Sequence, residues 1–224
     1  MERKMEKEQH PSYQVIETPV TGEYEEKRSR FLADLVPVES MEEAAAFAEA
    51  VRRRYYDARH HCTAYIIGRK SELTRCSDDG EPSGTAGKPM LEVLLSEKVT
   101  NVAAVVTRYF GGTLLGTGGL VRAYTQAVKE ALAKAQIAVM RYGAQLTIHT
   151  EYGDMGKIQH YLEKKQIGIL TSRYTDKVEL DICIPVEEAK QLSEELIELT
   201  AARARVEESG FGYYKRQRFQ GGLK

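Results

Sequence analysis

From Asn101 to Ala135 the chain reads NVAAVVTRYF, then GGTLLGTGG, then LVRAYTQAVKEALAKA. The first part is an apolar, β-branched run with a polar end, the pattern of a buried strand. The second holds Gly111, Gly112, Gly116, Gly118 and Gly119. Glycine at that density supplies positive φ and close backbone approach, at an entropic cost that a plain turn does not require. The third places Leu120, Val121, Tyr124, Ala127, Val128, Ala131, Leu132 and Ala135 at helical spacing. Strand, glycine loop and helix form the layout of an anion cradle, in which free N–H groups and the positive end of a helix dipole face a ligand. Charge agrees: from Lys98 to Lys129 there are four cations, Lys98, Arg108, Arg122 and Lys129, and no acidic residue. Arg122, in the first helical turn, opposes the dipole, so a partner explains it better than helix stability does.

The familiar phosphate motifs do not fit. A P-loop needs Gly-Lys-Ser/Thr, and Leu120 and Val121 follow Gly119. A dinucleotide fingerprint counted from Gly116 needs a small residue where Val121 stands. The plain alternative is a glycine-rich turn packing helix against strand.

Two segments, RYFGGTLLGTGGLVRAY (Arg108–Tyr124) and SDDGEPSGTAGKPML (Ser77–Leu91), resemble the two signatures of the YigZ/IMPACT family. The resemblance runs from about Tyr24 to the end of the chain. It implies an IMPACT-type N-terminal domain over residues 1–138, a two-layer sandwich with a left-handed βαβ unit, like modules of a ribosomal protein and the ribosomal translocase. It also implies a ferredoxin-like domain over residues 143–212, similar to the fifth domain of that translocase, leaving a basic aromatic tail over residues 213–224. Eukaryotic relatives are regarded as translational regulators acting through the activator of an initiation-factor kinase. They carry an additional N-terminal domain for which this sequence has no room.

The pattern of the chain agrees with an α/β (α+β) class. Alternation predicts strands at Tyr13–Val20 and Arg30–Val38, and Ser40-Met-Glu-Glu43 is a capping box opening a helix to about Tyr55. Arg52–Arg54 at its end complement the dipole on a solvated face. A strand follows at Cys62–Arg69, then a long loop, Ser71–Pro89, then a short helix from Met90 to Lys98. The alternation of helix and strand suggests a mixed sheet. Gln136–Gly143 reads as a linker. After it, strand Ala144–Thr150, helix Tyr152–Lys165, strands Ile167–Tyr174 and Lys177–Pro185, helix Glu187–Thr200 and strand Arg203–Glu208 give β-α-β-β-α-β. The tail interleaves Tyr213, Tyr214 and Phe219 with Lys215, Arg216 and Arg218, a mixture suited to base stacking and phosphate contact or to a solvated basic end.

Composition narrows the function. The net charge is −1, so a polyanion would have to be held by local patches. Three scattered cysteines, Cys62, Cys76 and Cys183, argue for a reducing compartment without a disulfide framework. The charged N-terminal segment lacks the apolar core of a signal peptide, and no apolar run is long enough to span a bilayer, so a cytoplasmic protein without membrane association is expected. His60, His61 and Cys62 are adjacent on a strand and point to alternating faces, which is poor geometry for a metal.

The expected function is that of a non-enzymatic RNA- or ribosome-associated regulator of translation, with a protein of the translation apparatus as a further partner and no cofactor or metal. The candidate ligand residues are Arg108, Tyr109, Gly111, Gly112, Gly116, Gly118, Gly119 and Arg122, flanked by Lys88 and Arg59. On this reading, removing Arg108 and Arg122 together weakens polyanion binding and leaves the fold intact. The alternative is a nucleotide- or phosphometabolite-binding enzyme using the same loop with Asp78, Asp79 and Glu81. Those carboxylates read more simply as acceptors locking the loop, because no catalytic constellation accompanies them.

Overall fold

The computed structural model describes residues 10–215, and the described residues form five helices and ten strands in two compact units. The first unit is Tyr13–Ala138. Its strands are β1 (Tyr13–Ile16), β2 (Val20–Glu26), β3 (Ser29–Pro37), β4 (His60–Ile67), β5 (Leu73–Ser77) and β6 (Val102–Tyr109). Its helices are α1 (Met41–Arg54), α2 (Gly87–Ser96) and α3 (Gly116–Leu132).

Five strands form a sheet in the order β2-β3-β6-β4-β5, and every neighbouring pair is antiparallel. The sheet is therefore not mixed. β3 and β4 both pair with β6, so they run parallel to each other with a strand between them, and the connection through α1 skips one position. β6 is central, as its unbroken apolar run requires. Val102, Ala104 and Val106 point to the α2–α3 face and join Phe31, Leu35, Ile66, Met90, Leu94 and Val128 in the main core. On the other face, α1 covers a smaller cluster around Val38, Ala44 and Ala103.

Local chemistry sets the helix limits. Ser40 Oγ accepts the Glu43 N–H at 3.2 Å, and the Glu43 carboxylate accepts the Glu39 N–H at 2.7 Å, so the capping box forms around the start of α1. The arginines at its end are not only dipole complements: Arg54 bonds the buried Asp34 at 3.0 Å and Arg52 bonds Asp79 at 3.2 Å. α2 starts at Gly87, earlier than Pro89 suggests. A proline in the first turn loses nothing there, since its N–H would have no helical partner. The long Ser71–Pro89 connection also contains structure, because Leu73–Ser77 pairs with β4 as an edge strand.

The second unit comprises, among the described residues, 139–215 together with 10–12. It holds most of β7 (Ile137–Thr150), with α4 (Tyr152–Lys164), β8 (Ile169–Tyr174), β9 (Val178–Ile184), α5 (Val186–Leu199) and β10 (Arg205–Lys215). The order β10-β7-β9-β8 with antiparallel neighbours is the ferredoxin-like arrangement. Leu146, Ile148, Leu180 and Ile182 from the sheet pack against Ile158, Leu162, Leu192 and Leu196 from the helices.

Three boundaries differ from the sequence reading. Residues 137–143 are strand rather than linker, and Met140 to Gly143 pair with the far end of β10. Tyr213, Tyr214 and Lys215 belong to that strand rather than to a tail, and a register shift between Glu208 and Gly210 masks the continuation. Arg216, Arg218 and Phe219 lie outside the described residues. His10 and Pro11 sit in this unit, not the first: the His10 ring stacks on Tyr142 at 3.7 Å, and the Tyr213 hydroxyl donates to the Pro11 carbonyl at 3.2 Å.

Candidate functional site

β6 ends at Tyr109, and residues 110–115 lead into α3. Gly112 (φ +83°) and Gly116 (φ +70°) occupy the left-handed region that glycine tolerates without a Cβ penalty. Gly111 is required for space. A Cβ there would lie 2.1 Å from the carbonyl carbon of Arg28 and 2.3 Å from the nitrogen of Ser29. Its N–H donates to Ser29 Oγ at 3.0 Å, which docks the loop on the turn between β2 and β3. Gly118 and Gly119 lie within the first turn of α3. That helix has no side-chain cap and no acidic residue in its first turn.

Beneath the loop lies a buried polar cluster. Arg108 is only 8% exposed, and its Nη1 donates to Glu81 Oε1 at 2.6 Å. Its guanidinium lies 5.5 Å from the centre of the Phe31 ring and 5.6 Å from that of Phe110. Among the described residues, Arg108 Nε is buried without a hydrogen-bond partner. The Tyr124 hydroxyl donates to the same Glu81 oxygen at 2.9 Å. The Cys62 thiol lies 3.0 Å from the Asp78 carbonyl and 3.3 Å from the Tyr124 oxygen. Burial pushes the thiol up to about 12 and raises Tyr124 further, with Cys62 and Glu81 adding to the effect. Tyr124 is thus fixed as a donor, and Cys62 is a neutral thiol rather than a nucleophile.

Glu81 therefore ties the Ser77–Leu91 segment to both β6 and α3. The other two carboxylates of that segment are also engaged. Asp78 accepts N–H bonds from Gly84 (2.8 Å), Ala86 (3.0 Å) and Gly87 (2.8 Å). Burial works to raise its carboxyl, but the three backbone bonds outweigh it and hold the group below its ordinary 3.8. Asp79 accepts the His61 N–H at 2.6 Å and the Arg52 guanidinium at 3.2 Å. His60 Nδ1 faces the Asp79 carbonyl at 2.9 Å, and His61 Nε2 faces the Tyr55 carbonyl at 3.1 Å. Among the described residues, no group of three or more His, Cys, Asp and Glu is placed to hold a metal.

The expected ligand residues divide into two sets. Arg108 is an internal brace in this state rather than a surface ligand, because Glu81 already neutralises it; its loss with Arg122 would not leave the fold untouched. The Tyr109 hydroxyl donates to Asp57 at 2.8 Å, and burial together with Asp57 pushes it up to about 12. Arg122, Arg59 and Lys88 are exposed. Lys88 reaches Glu92 only at 4.0 Å. Arg59 precedes His60, which pairs with Arg108, so it stands at the same end of the sheet as the loop. Sequence reasoning missed four contributors: Glu81 as the partner of Arg108, the exposed Phe110 (58%), and Lys27 and Arg28 in the turn beside Gly111. An aromatic set directly before paired glycines was the available signal for Phe110. The Glu81–Arg108 contact, between residues 27 apart, left none.

An antiparallel sheet whose central strand runs through a braced glycine loop into a helix, followed by a ferredoxin-like domain, defines a class of two-domain α/β proteins. Residues 27–132 match the Impact N-terminal domain, and residues 148–203 match a domain of unknown function, DUF1949. The chain is 38% identical over 192 residues to the IMPACT family member YvyE of Bacillus subtilis, spanning 85% of this chain and 88% of that one. It is 39% identical over 191 residues to the IMPACT family member YigZ of Escherichia coli, spanning 84% and 94%. A crystal structure of a hypothetical protein, 38% identical, superposes with a TM-score of 0.57 over 87% of this chain and 96% of that one. The chain belongs to the IMPACT family.

Proposed function

We propose that this protein binds RNA, free or on the ribosome, at the glycine-loop end of its N-terminal sheet, and that it regulates translation by doing so from the cytoplasm, without catalysis. The observation that carries this reading is the distribution of exposed cations. Lys27 and Arg28 sit in the β2–β3 turn, Arg59 before β4, Lys88 in the first turn of α2 and Arg122 in the second turn of α3, one turn further along than the sequence suggests. Strand register brings the start of β3, the end of β6 and the start of β4 to one end of the sheet. The chain there also presents Phe110 and Leu114, which are 58% and 83% exposed.

Phosphate neutralisation by these cations is sequence-independent and salt-sensitive. Asp78 offers an internal comparison, since its carboxylate satisfies the N–H groups at the start of α2. Among the described residues, no side chain caps the start of α3, and its first turn holds no acidic residue. The family resemblance, which implies domains similar to modules of the translation apparatus, supports the choice of RNA. Co-sedimentation with ribosomes and with free RNA over a salt series tests the proposal, with the Arg59→Ala/Arg122→Ala double variant as the comparison. Binding that falls steeply with salt and weakens in the variant is expected; absence of binding at low salt would remove the reading.

A further inference from the structure

The buried ion pair beneath the loop has an unusual composition. Arg108 carries five N–H donors but, among the described residues, makes one side-chain hydrogen bond, to Glu81, while its Nε–H is buried with no partner there. A buried donor left unpaired carries the full cost of its desolvation. The guanidinium lies against two rings, Phe31, which is fully buried, and Phe110, which is 58% exposed. Phe110 stands at the start of the glycine loop, between β6 and the left-handed Gly112. An exposed ring on such a segment gives up few contacts when it swings away.

We infer that Phe110 is a movable cover over Arg108, and that a phosphate group entering at the glycine loop displaces the ring and takes the unused guanidinium edge of Arg108. In the resting state Glu81, on Nη1, is the internal counter-charge. Arg108 then serves two partners, Glu81 on Nη1 and the phosphate on the free edge, and the outer cations at Arg122 and Arg59 deliver the phosphate to it. This inference rests on the anion-binding reading proposed above and names the group that a bound phosphate reaches. The same chemistry serves a phosphodiester of RNA and a free phosphate.

The chain contains no tryptophan, so Phe110→Trp creates a single reporter at the cover itself. Inorganic phosphate and a single-stranded oligouridylate of about twelve nucleotides are the two probes, and wild-type binding is first measured by calorimetry and by anisotropy. A saturable red shift of the tryptophan, with greater acrylamide quenching, is the expected response. Phe110→Ala and Glu81→Gln are each expected to tighten phosphate binding: a cover that is open about a tenth of the time lowers the apparent affinity about tenfold, and removing it restores that factor.

Three results overturn the inference. One is calorimetric binding of phosphate to both the wild type and Phe110→Trp with no change in the tryptophan emission of that variant. Another is unchanged or weaker phosphate binding in both Phe110→Ala and a folded Glu81→Gln. The third is binding of oligouridylate alone, weakened by Phe110→Ala, which makes Phe110 a base-stacking surface and leaves the RNA reading standing. Binding of neither probe at low salt removes the anion-binding reading and this inference with it.

Discussion

Arg108→Ala separates a brace from a surface ligand. The substitution leaves the Glu81 side chain, 3% exposed, with the Tyr124 hydroxyl as its remaining partner. Stranding one member of a buried ion pair costs about 3–5 kcal/mol. Loss of the contacts to the Phe31 and Phe110 rings adds about 0.5–1 kcal/mol each. The exposed Arg122→Ala is expected to change stability by no more than about 0.5 kcal/mol. Urea denaturation followed by tyrosine fluorescence and far-UV circular dichroism measures both. With a slope of about 2–3 kcal/mol per molar, Arg108→Ala lowers the midpoint of the first unit by at least about 1 M, while Arg122→Ala leaves it in place. The double variant Arg108→Met/Glu81→Gln recovers much of the loss, because a neutral pair strands no charge. An Arg108→Ala midpoint within experimental error of the wild type would refute the reasoning and return Arg108 to the surface.

Gly118 has negative φ within the first turn of α3, and a Cβ there would meet only Arg122 Nη1, at 3.9 Å. Gly118→Ala is therefore expected to raise stability by up to about 1 kcal/mol while weakening polyanion binding, because the added methyl stands where a ligand would approach the helix end; urea midpoints and anisotropy report the two effects. Two carboxylates of the first unit should respond to pH with opposite sign. Asp78 is held below 3.8 in the folded state, so its contribution is complete above that pH and is lost as pH falls toward its folded value. Asp78→Asn is accordingly destabilising at pH 7, with a penalty that shrinks below about pH 4. The Asp34 carboxyl is raised by burial, against the opposing pull of Arg54, so ionising it costs stability as pH rises through its folded value. Asp34→Asn is expected to be neutral to stabilising at pH 7, with no effect in acid, and stability curves at several pH values check both.

The parts of the fold legible in the sequence are those encoded locally. The capping box at Ser40, the apolar run of β6 and the spacing from Leu120 to Ala135 each carry their structure within a dozen or so residues. Strand order does not: a connection through a helix can place the next strand beside its predecessor or one position beyond, and periodicity is the same in both cases. β10 runs past its expected end because Gly210 and Gly212 break the alternation, while the pairing of Tyr213 with Tyr142 is set by a strand far away in sequence. The candidate site shows the same division. The glycine turn before α3 and the loop-locking role of the acidic segment were readable, since turn chemistry is local, whereas the helix begins a turn before the point that would put Arg122 at its end. The burial of Arg108 was not, because its fate depends on Glu81, Phe31 and Tyr124 arriving from three separate segments. An arginine closing a strand before a glycine loop looks the same in sequence whether it faces solvent or a carboxylate.

The central claim is that exposed cations around the glycine loop hold a polyanion. The most direct measurement is the slope of log affinity for RNA against log salt, taken for the wild type and for Arg59→Ala/Arg122→Ala, both of which leave the buried brace intact. The account predicts a steep negative slope for the wild type and a loss of about one to two units of slope in the double variant, because each phosphate contact contributes about 0.7–0.9. Equal slopes in the two proteins, or an affinity indifferent to salt, would contradict it.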